Sequence, residues 1–368
     1  MSTNVSYLPA IDTPEWEELV GFYLNATPSQ IETWAKKFRY ANAGTFKDAM
    51  SRGRGIKRER PMPEPIEEAE RIITPAPLIK IKPIKQEGRR GEGEEAHLQL
   101  ISDAHTGLLT PSYSIAVFKE RLARLRQAMI QLCLLHRKMR PIKKLVAPLL
   151  GDMGQGEQYG VQGFVEEFEC GAVEQIYDVL VPEFSNFFIN LLQVYQEIEI
   201  PVVDGNHGNI QRRSQTMSKR SNWDSVFYRA LQQALSNYSR IKIIIPQPAG
   251  QWYQVIEVNG WHFLMAHGDQ IISYQGVPFY GIERRGLRWK QSIGVNEPFD
   301  YMLTAHVHNP NFLWNAGIPT YVNGCFVTDS NFPLVRMGLK DVPTQWSLFV
   351  NKKHGVTASY RINLEGAK

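Results

Sequence analysis

The sequence predicts an α/β fold with a small helical module in front of it, and three observations predict this. From His97 onward, apolar runs of strand length alternate with helical stretches of amphipathic period. Five of those runs end in Asp, Asn or His. Before residue 53, helix-start signals open short helical stretches, and a proline- and charge-rich segment separates them from the rest. Open α/β sheets carry their ligands at the carboxyl ends of strands, so the strand ends are where chemistry is expected.

Of the 368 residues, 43% are hydrophobic and 21% charged, enough for a large buried core and a smaller module. The net charge of +4 is mild and gains meaning only from its distribution. Cys133, Cys170 and Cys325 stand isolated, which excludes a disulfide framework and a C-x-x-C zinc site and suits a reducing compartment. No stretch approaches the roughly 20 continuous apolar residues of a membrane span, and the first residues lack the basic-then-apolar order of a signal peptide. The expectation is a cytoplasmic protein with no membrane partner.

Residues 1–53 form the first module. Thr13-Pro14-Glu15 starts a helix with Trp16, Leu19, Val20 and Tyr23 on one face, and Thr27-Pro28-Ser29-Gln30 starts a second with Ile31, Trp34, Ala35 and Phe38. A third, from about Thr45 to Arg52, turns Phe46, Ala49 and Met50 inward. Three short helices with a glycine before the last resemble a helix-turn-helix, a pattern that other small helical bundles share. Lys47, Arg52, Arg54, Lys57, Arg58 and Arg60 crowd the third helix and the tail behind it, which suits contacts to DNA phosphates; the bland alternative is a solvated basic linker behind a protein-docking bundle. Residues 54–96 are a linker rich in proline and charge, within which Leu78 to Lys82 alternates like an edge strand.

The second domain is expected over residues 97–368. His97 to Ile101 is a strand leading into Ser102-Asp103-Ala104-His105-Thr106-Gly107. Ser114 to about Met139 is a long helix, with Val117, Leu122, Leu125, Met129, Leu132 and Leu135 facing in and Lys119, Arg121, Arg124 and Arg126 facing out. Lys144 to Leu150 is a buried strand ending in Gly151-Asp152. A helical stretch from about Gly171 to Glu197 precedes the strand Ile198 to Val203, which delivers Asp204-Gly205-Asn206-His207-Gly208. Trp223 to Asn237 is helical and Arg240 to Ile245 is a strand. Asn259-Gly260 between two alternating runs signals a tight hairpin whose second strand ends in His267, and Tyr301 to Thr304 ends in Ala305-His306-Val307-His308. Trp346 to Val350 and Thr357 to Ile362 close the chain as strands.

Together the strand ends read Asp103-x-His105, Gly151-Asp152, Gly205-Asn206-His207, His267 and His306-x-His308. In this order they resemble the calcineurin-like metallophosphoesterase superfamily, whose pattern is D-x-H, G-D-x-x-D, G-N-H-[D/E], H and G-H-x-H. The resemblance covers residues 97 to about 330, and five motifs in sequence are far more specific than any one. It implies a four-layer α/β/β/α domain and two divalent ions, Mn2+ first, with Mg2+, Fe2+ or Zn2+ as alternatives. It further implies that Asp103, His105 and His308 bind one ion, that Asp152 bridges both, and that Asn206, His267 and His306 bind the other. His207 would stabilise the phosphate and protonate the leaving oxygen, while a bridging hydroxide attacks phosphorus in line.

Two positions depart from the pattern: Gln155 stands where the second acid of G-D-x-x-D is usual, and Gly208 where the acid after G-N-H is usual. Asp204, Asp224 or Asp269 are the candidates to compensate for the latter. Ser/Thr phosphatases of the superfamily use an arginine after the second motif and a glutamate after the third, and this chain has neither. Its S-D-x-H-x-G form is nearer to the repair-nuclease and phosphodiesterase branch. Arg212, Arg213, Lys219 and Arg220 follow the Asn-His motif, and Arg284, Arg285, Arg288 and Lys290 interleave with Tyr280 and Trp289, a mixture that can track a phosphate backbone and stack on bases. The expectation is a metal-dependent DNA nuclease, with DNA as partner and a homodimer implied by resemblance. The rivals are a phosphatase or nucleotide phosphodiesterase on small or phosphoprotein substrates, and a DNA-binding protein whose phosphoesterase domain has decayed.

Overall fold

The computed structural model describes residues 13–25, 27–38, 43–48, 50, 74–79, 81–83, 93–157, 167–210, 221–247, 251–271, 278–315, 317–330 and 340–365. The chain divides into two compact units, Met1–Ile72 and Ile73–Lys368.

In the first unit, helices α1 (Pro14–Asn25) and α2 (Pro28–Lys37) both begin at proline, which lacks the N–H that a first helical turn leaves unpaired. Thr13 caps α1, its hydroxyl accepting from Trp16 N at 3.2 Å, and Thr27 forms a capping box with Gln30 on α2. Helix α3 is described over Ala43–Asp48, and Met50 beyond it is helical as well. Trp16, Leu19, Tyr23, Ile31, Ala35, Phe46 and Met50 close into one small core, in which Phe38 stacks on Phe46 with centroids 6.1 Å apart. Lys47 is exposed on α3; Arg52, Arg54, Lys57 and Arg58 lie outside the described residues.

The second unit is built on two sheets. The first has six strands in the order β13-β12-β1-β3-β5-β6, from β1 (Glu95–Gln99), β3 (Ile142–Val146), β5 (Glu197–Pro201), β6 (Ile241–Ile244), β12 (Thr344–Asn351) and β13 (Gly355–Asn363). Strands β1, β3, β5 and β6 are mutually parallel, which requires crossover connections such as the helices between them, and β12 and β13 add antiparallel at one edge. The second sheet has five strands in the order β10-β11-β9-β8-β7, from β7 (Tyr253–Val258), β8 (Trp261–Ala266), β9 (Tyr301–Thr304), β10 (Asn311–Asn315) and β11 (Ile318–Val322). Asn259 and Gly260 link β7 to β8 at φ of 53° and 83°, the left-handed pair that a two-residue hairpin turn requires. Strands β2 (Leu108–Leu109) and β4 (Glu167–Phe168) pair antiparallel as a separate short ribbon.

Alternation along the strands sets the layers. Leu98, Val146, Leu348 and Val350 of the first sheet meet Ile256, Phe263, Met265 and Leu303 of the second in a common core. The first sheet's other face is covered by α4 (Ile115–Arg137), α6 (Val181–Leu191) and α7 (Trp223–Ala234), and the second sheet's other face by α8 (Pro278–Ser292). The result is the four-layer α/β/β/α arrangement. The run before α6 breaks period, with α5 (Ala172–Glu174) followed by a π-helical stretch at Gln175–Leu180.

Several local expectations are corrected. Arg121 faces in, not out: its guanidinium donates to Phe326 O and Thr328 Oγ1 and lies 5.5 Å from the Tyr113 ring, so burial is offset by oriented acceptors. Leu135 is half exposed, and His136 takes the buried place beside it. Strand β3 stops at Val146 because Pro148 has no N–H for the ladder, although Leu149 still bridges Ile101. Segment 78–82 forms no strand among its described residues; the chain there is tied to Tyr238, which donates to Pro77 O and accepts from Ile79 N at 3.2 Å. The β10–β11 hairpin is not foreseen at all.

At the start of β1 the Glu95 carboxylate is buried among Arg140, Thr357 Oγ1 at 2.7 Å and His136 Nδ1 at 3.5 Å. Burial pushes its pKa up, but those hydrogen bonds outweigh it and lower it from 4.5 to about 2. The stability this carboxylate contributes is therefore full above pH 4.5 and is lost as pH falls toward 2. Glu95→Gln is expected to cost about 3 kcal/mol at neutral pH and to flatten the fall of unfolding free energy across that acid window. Urea titrations at several pH values check it; an unchanged acid slope would refute it.

Candidate metal centre

All the strand-end motifs converge at one end of the sandwich. Asp103 and His105 follow β1, Asp152 follows β3, and Asn206 and His207 follow β5, three neighbouring strands of the first sheet. His267 follows β8, and His306 and His308 follow β9, neighbours in the second. Backbone bonds lock the loops together: Asp103 N donates to Gly151 O at 3.1 Å, His105 N to Asp152 O at 3.0 Å, and Ala305 N to His267 O at 2.7 Å. A Cβ on Gly151 would come within 2.4 Å of Gly205 N, and one on Gly205 within 2.0 Å of Asp152 Oδ1. Glycine at both positions is what lets the second and third motif loops touch.

The ligating atoms of Asp103, His105 and His308 lie within 4.8 Å of one another, and so do those of Asp152, His267 and His306. His105, Asp152 and His207 form a third such group across the two. Asn206 Oδ1 lies 3.0 Å from His267 Nε2, beside Asp152 Oδ2, which is also 3.0 Å from that nitrogen. Asp103, His105, Asp152, His306 and His308 all sit at positive φ, between 42° and 73°. That conformation costs a non-glycine residue on the order of 1 kcal/mol, and strain of this kind gathers where side chains must be aimed.

The aiming is visible in the imidazoles. His105 Nδ1 donates to Gln155 Oε1, His267 Nδ1 to Leu150 O and His308 Nδ1 to Asp341 Oδ1, each at 2.7 Å. With Nδ1 engaged, Nε2 is the atom turned to the cluster, and His105 Nε2 and His308 Nε2 come within 3.0 Å of each other. Asp103 Oδ1, at 3.5 Å from His308 Nε2, and Asp152 Oδ2 are buried with no geometrically sound hydrogen bond. Buried oxygens and imidazole nitrogens with so few donors among them form a set that fits divalent cations.

Electrostatics agree. Burial drives His105 down to about 3 and His207 and His306 to about 4, which keeps them neutral with lone pairs to offer. Asp103 and Asp152 are held below the usual carboxylate range although burial opposes it, by His308 for the first and mainly by His267 and His207 for the second. His267 rises to about 9 because Asp152 outweighs burial. The cluster attracts positive charge.

The loops have a second set of supports, which the motifs alone do not reveal. Asp224, at the start of α7, accepts from Asp152 N at 2.8 Å, Met153 N at 3.0 Å and Gly205 N at 2.9 Å. Its own pKa rises to about 6 through burial and the charge of Asp152. Asn222 caps α7 and reaches Gly205 O at 2.8 Å, and a Cβ on Gly208 would fall 2.1 Å from its Oδ1. The place of the missing acid is thus filled by Asn222. Asp204 instead accepts from Ser225 Oγ at 2.6 Å, and Asp269 from Gln270 Nε2 at 2.5 Å. Arg212 and Arg213 lie outside the described residues.

No protein-family model matches the chain, and no curated protein matches it. Solved structures do. Wild-type Vps29 from Entamoeba histolytica, complexed with zinc, is 12% identical with a TM-score of 0.32, over 73% of this chain and 99% of that one. A novel archaeal phosphodiesterase is 13% identical with a TM-score of 0.33 over 73% and 99%. A predicted phosphoesterase from Streptococcus pneumoniae is 11% identical with a TM-score of 0.31 over 73% and 98%. Similarity at this level assigns no activity. Among the described residues no helix is long and apolar enough to cross a membrane.

Gln155→Ala removes the acceptor that orients His105. It is expected to weaken Mn2+ binding roughly 10–100-fold while leaving the fold intact. Calorimetric titration of the metal, beside a circular dichroism spectrum, checks this; unchanged affinity would remove Gln155 from the ligand support.

Proposed function

We propose that this chain is a metal-dependent phosphodiesterase that cleaves DNA. The observation that carries the reading is the pair of adjoining Asp/His triads, with Nδ1 of three histidines already bound to fixed oxygens. Asp103, His105 and His308 would hold one divalent cation, Asn206, His267 and His306 a second, and Asp152 would serve both. Bound cations supply positive charge at the phosphoryl oxygens and lower the pKa of water. His207, buried and edge-on to the His105 ring with centroids 4.6 Å apart, would hold a phosphoryl oxygen and pass a proton to the leaving oxygen. Its backbone N–H donates to Asp152 Oδ1 at 2.8 Å, which ties its position to the shared carboxylate.

A diester is favoured because no arginine follows Gly151-Asp152: Gly156 stands where the G-D-x-V-D-R-G of the resembled phosphatases carries the arginine that grips a monoester dianion. DNA is favoured by the basic residues from Lys47 to Arg58 after the three-helix module and by Arg212 and Arg213 after the Asn-His motif.

End-labelled single- and double-stranded DNA, incubated with the protein and Mn2+ or EDTA, tests the activity. Cleavage is expected with Mn2+ only, and Asp152→Ala is expected to lower it by at least roughly 10³-fold. Hydrolysis of a phosphomonoester without cleavage of DNA or of a generic bis-ester would overturn the reading. Removing residues 1–53 is expected to weaken duplex binding by roughly tenfold or more and to spare hydrolysis of a small bis-ester; undiminished affinity in a mobility-shift titration would take DNA binding away from the module.

A further inference from the structure

Helix α8 leaves the site end of the second sheet and carries more positive charge than its own packing uses. Ile282 and Trp289 face the core, Lys290 donates to Phe299 O, and Arg285 Nη2 donates to Gln270 O at 2.9 Å, three residues beyond His267. That bond ties the helix to the loop that carries the metal-centre histidine. The remaining cations are Arg284 and Arg288, one turn apart, both exposed and without an ion pair among the described residues. Tyr280, 56% exposed, lies one turn before them, and Leu287, 40% exposed, lies between. The four share one face, since positions four and seven residues apart fall on the same side of a helix. Glu283 is an exposed acid on the neighbouring face and the only one on the helix.

We infer that this face of α8 binds single-stranded nucleic acid and leads it to or from the metal centre. The inference rests on the nuclease reading and names the form of its substrate. Arginines one turn apart, about 6 Å along the axis, suit successive phosphates. An exposed aromatic ring beside them suits an unstacked base, which a duplex does not present. Apolar side chains placed between cations favour this occupant over a plain polyanion. The helix packs on the sheet whose strands end in His267, His306 and His308, so its N-terminal end, where Tyr280 sits, is the end toward the site.

The test uses the full chain, a fluorescein-labelled dT12 and a labelled 20-base-pair duplex, with binding followed by anisotropy over a range of salt. Arg284→Glu/Arg288→Glu is expected to weaken dT12 binding at least tenfold and to reduce the salt slope by roughly 0.7 for each phosphate no longer neutralised. Tyr280→Ala is expected to weaken it at least fivefold with the salt slope unchanged. Hydrolysis of a small bis-ester with Mn2+ should stay within twofold in both variants, which shows the centre intact. Unchanged dT12 affinity and slope in variants of a protein that cleaves DNA would overturn the inference and leave the nuclease reading standing. Equal losses on duplex and dT12 would overturn the single-strand assignment. A wild-type chain that neither binds dT12 nor cleaves DNA would bring down both.

Discussion

The site depends on imidazoles whose Nδ1–H groups are already committed. Gln155, Leu150 and Asp341 supply three different kinds of oxygen, a side-chain amide, a backbone carbonyl and a carboxylate, yet each fixes its histidine by the same 2.7 Å bond. A histidine held this way cannot rotate its ring without losing a buried bond worth on the order of 1 kcal/mol. Its Nε2 must therefore face the carboxylates of Asp103 and Asp152, and their buried oxygens are left short of donors. Charge and geometry come from one constraint, since the bond that orients each ring also decides which nitrogen faces the carboxylates.

That constraint could not be met by straight strands. Alternating side chains would send Asp103 and His105 to the same face only while the strand continued, and the backbone departs from the strand here. Five residues of the cluster adopt left-handed φ, and two glycines allow the second and third loops to approach more closely than any Cβ would permit. The cost is offset by the sandwich behind them, where two sheets pack an apolar layer from Leu98 and Val146 on one side to Phe263 and Leu303 on the other. The rigid layer holds the strained ends.

Much of this was legible in the sequence because strands and ligands share a rule: apolar runs with a polar terminus mark both. The runs ending at Gly151-Asp152, Gly205-Asn206-His207 and His267 read as strand ends and are such. What escaped obeys no local pattern. Arg121 reads as an outer residue of an amphipathic helix, but the Phe326 carbonyl 205 positions away draws it in. Asp341 lies 33 positions from the histidine it holds, and nothing in its neighbours distinguishes it from a surface acid; Asp224 stands out in the sequence only as one of three candidates, because the 72 positions between it and Asp152 carry no local signal. The β10–β11 hairpin is short, has Pro319 within its second strand and keeps Trp314 71% exposed, so its alternation is weak.

The two departures from the motif pattern have a physical resolution that bears on whether such a site is spent or intact. A decayed centre is expected to lose ligands first, because they are strained and costly to keep once unused. Here the Asp, Asn and His residues proposed to hold the cations are all present, and the changes fall one layer out. Gln155 replaces an acid yet still offers its oxygen to His105, so the orientation survives while one negative charge is removed. Gly208 replaces another, and the volume its side chain would need is occupied by Asn222, which binds the loop at Gly205 and caps α7, whose Asp224 holds Asp152 and Gly205. Substitutions that keep the geometry and lower the local negative charge alter how strongly cations are held, while preserving the place where they would sit.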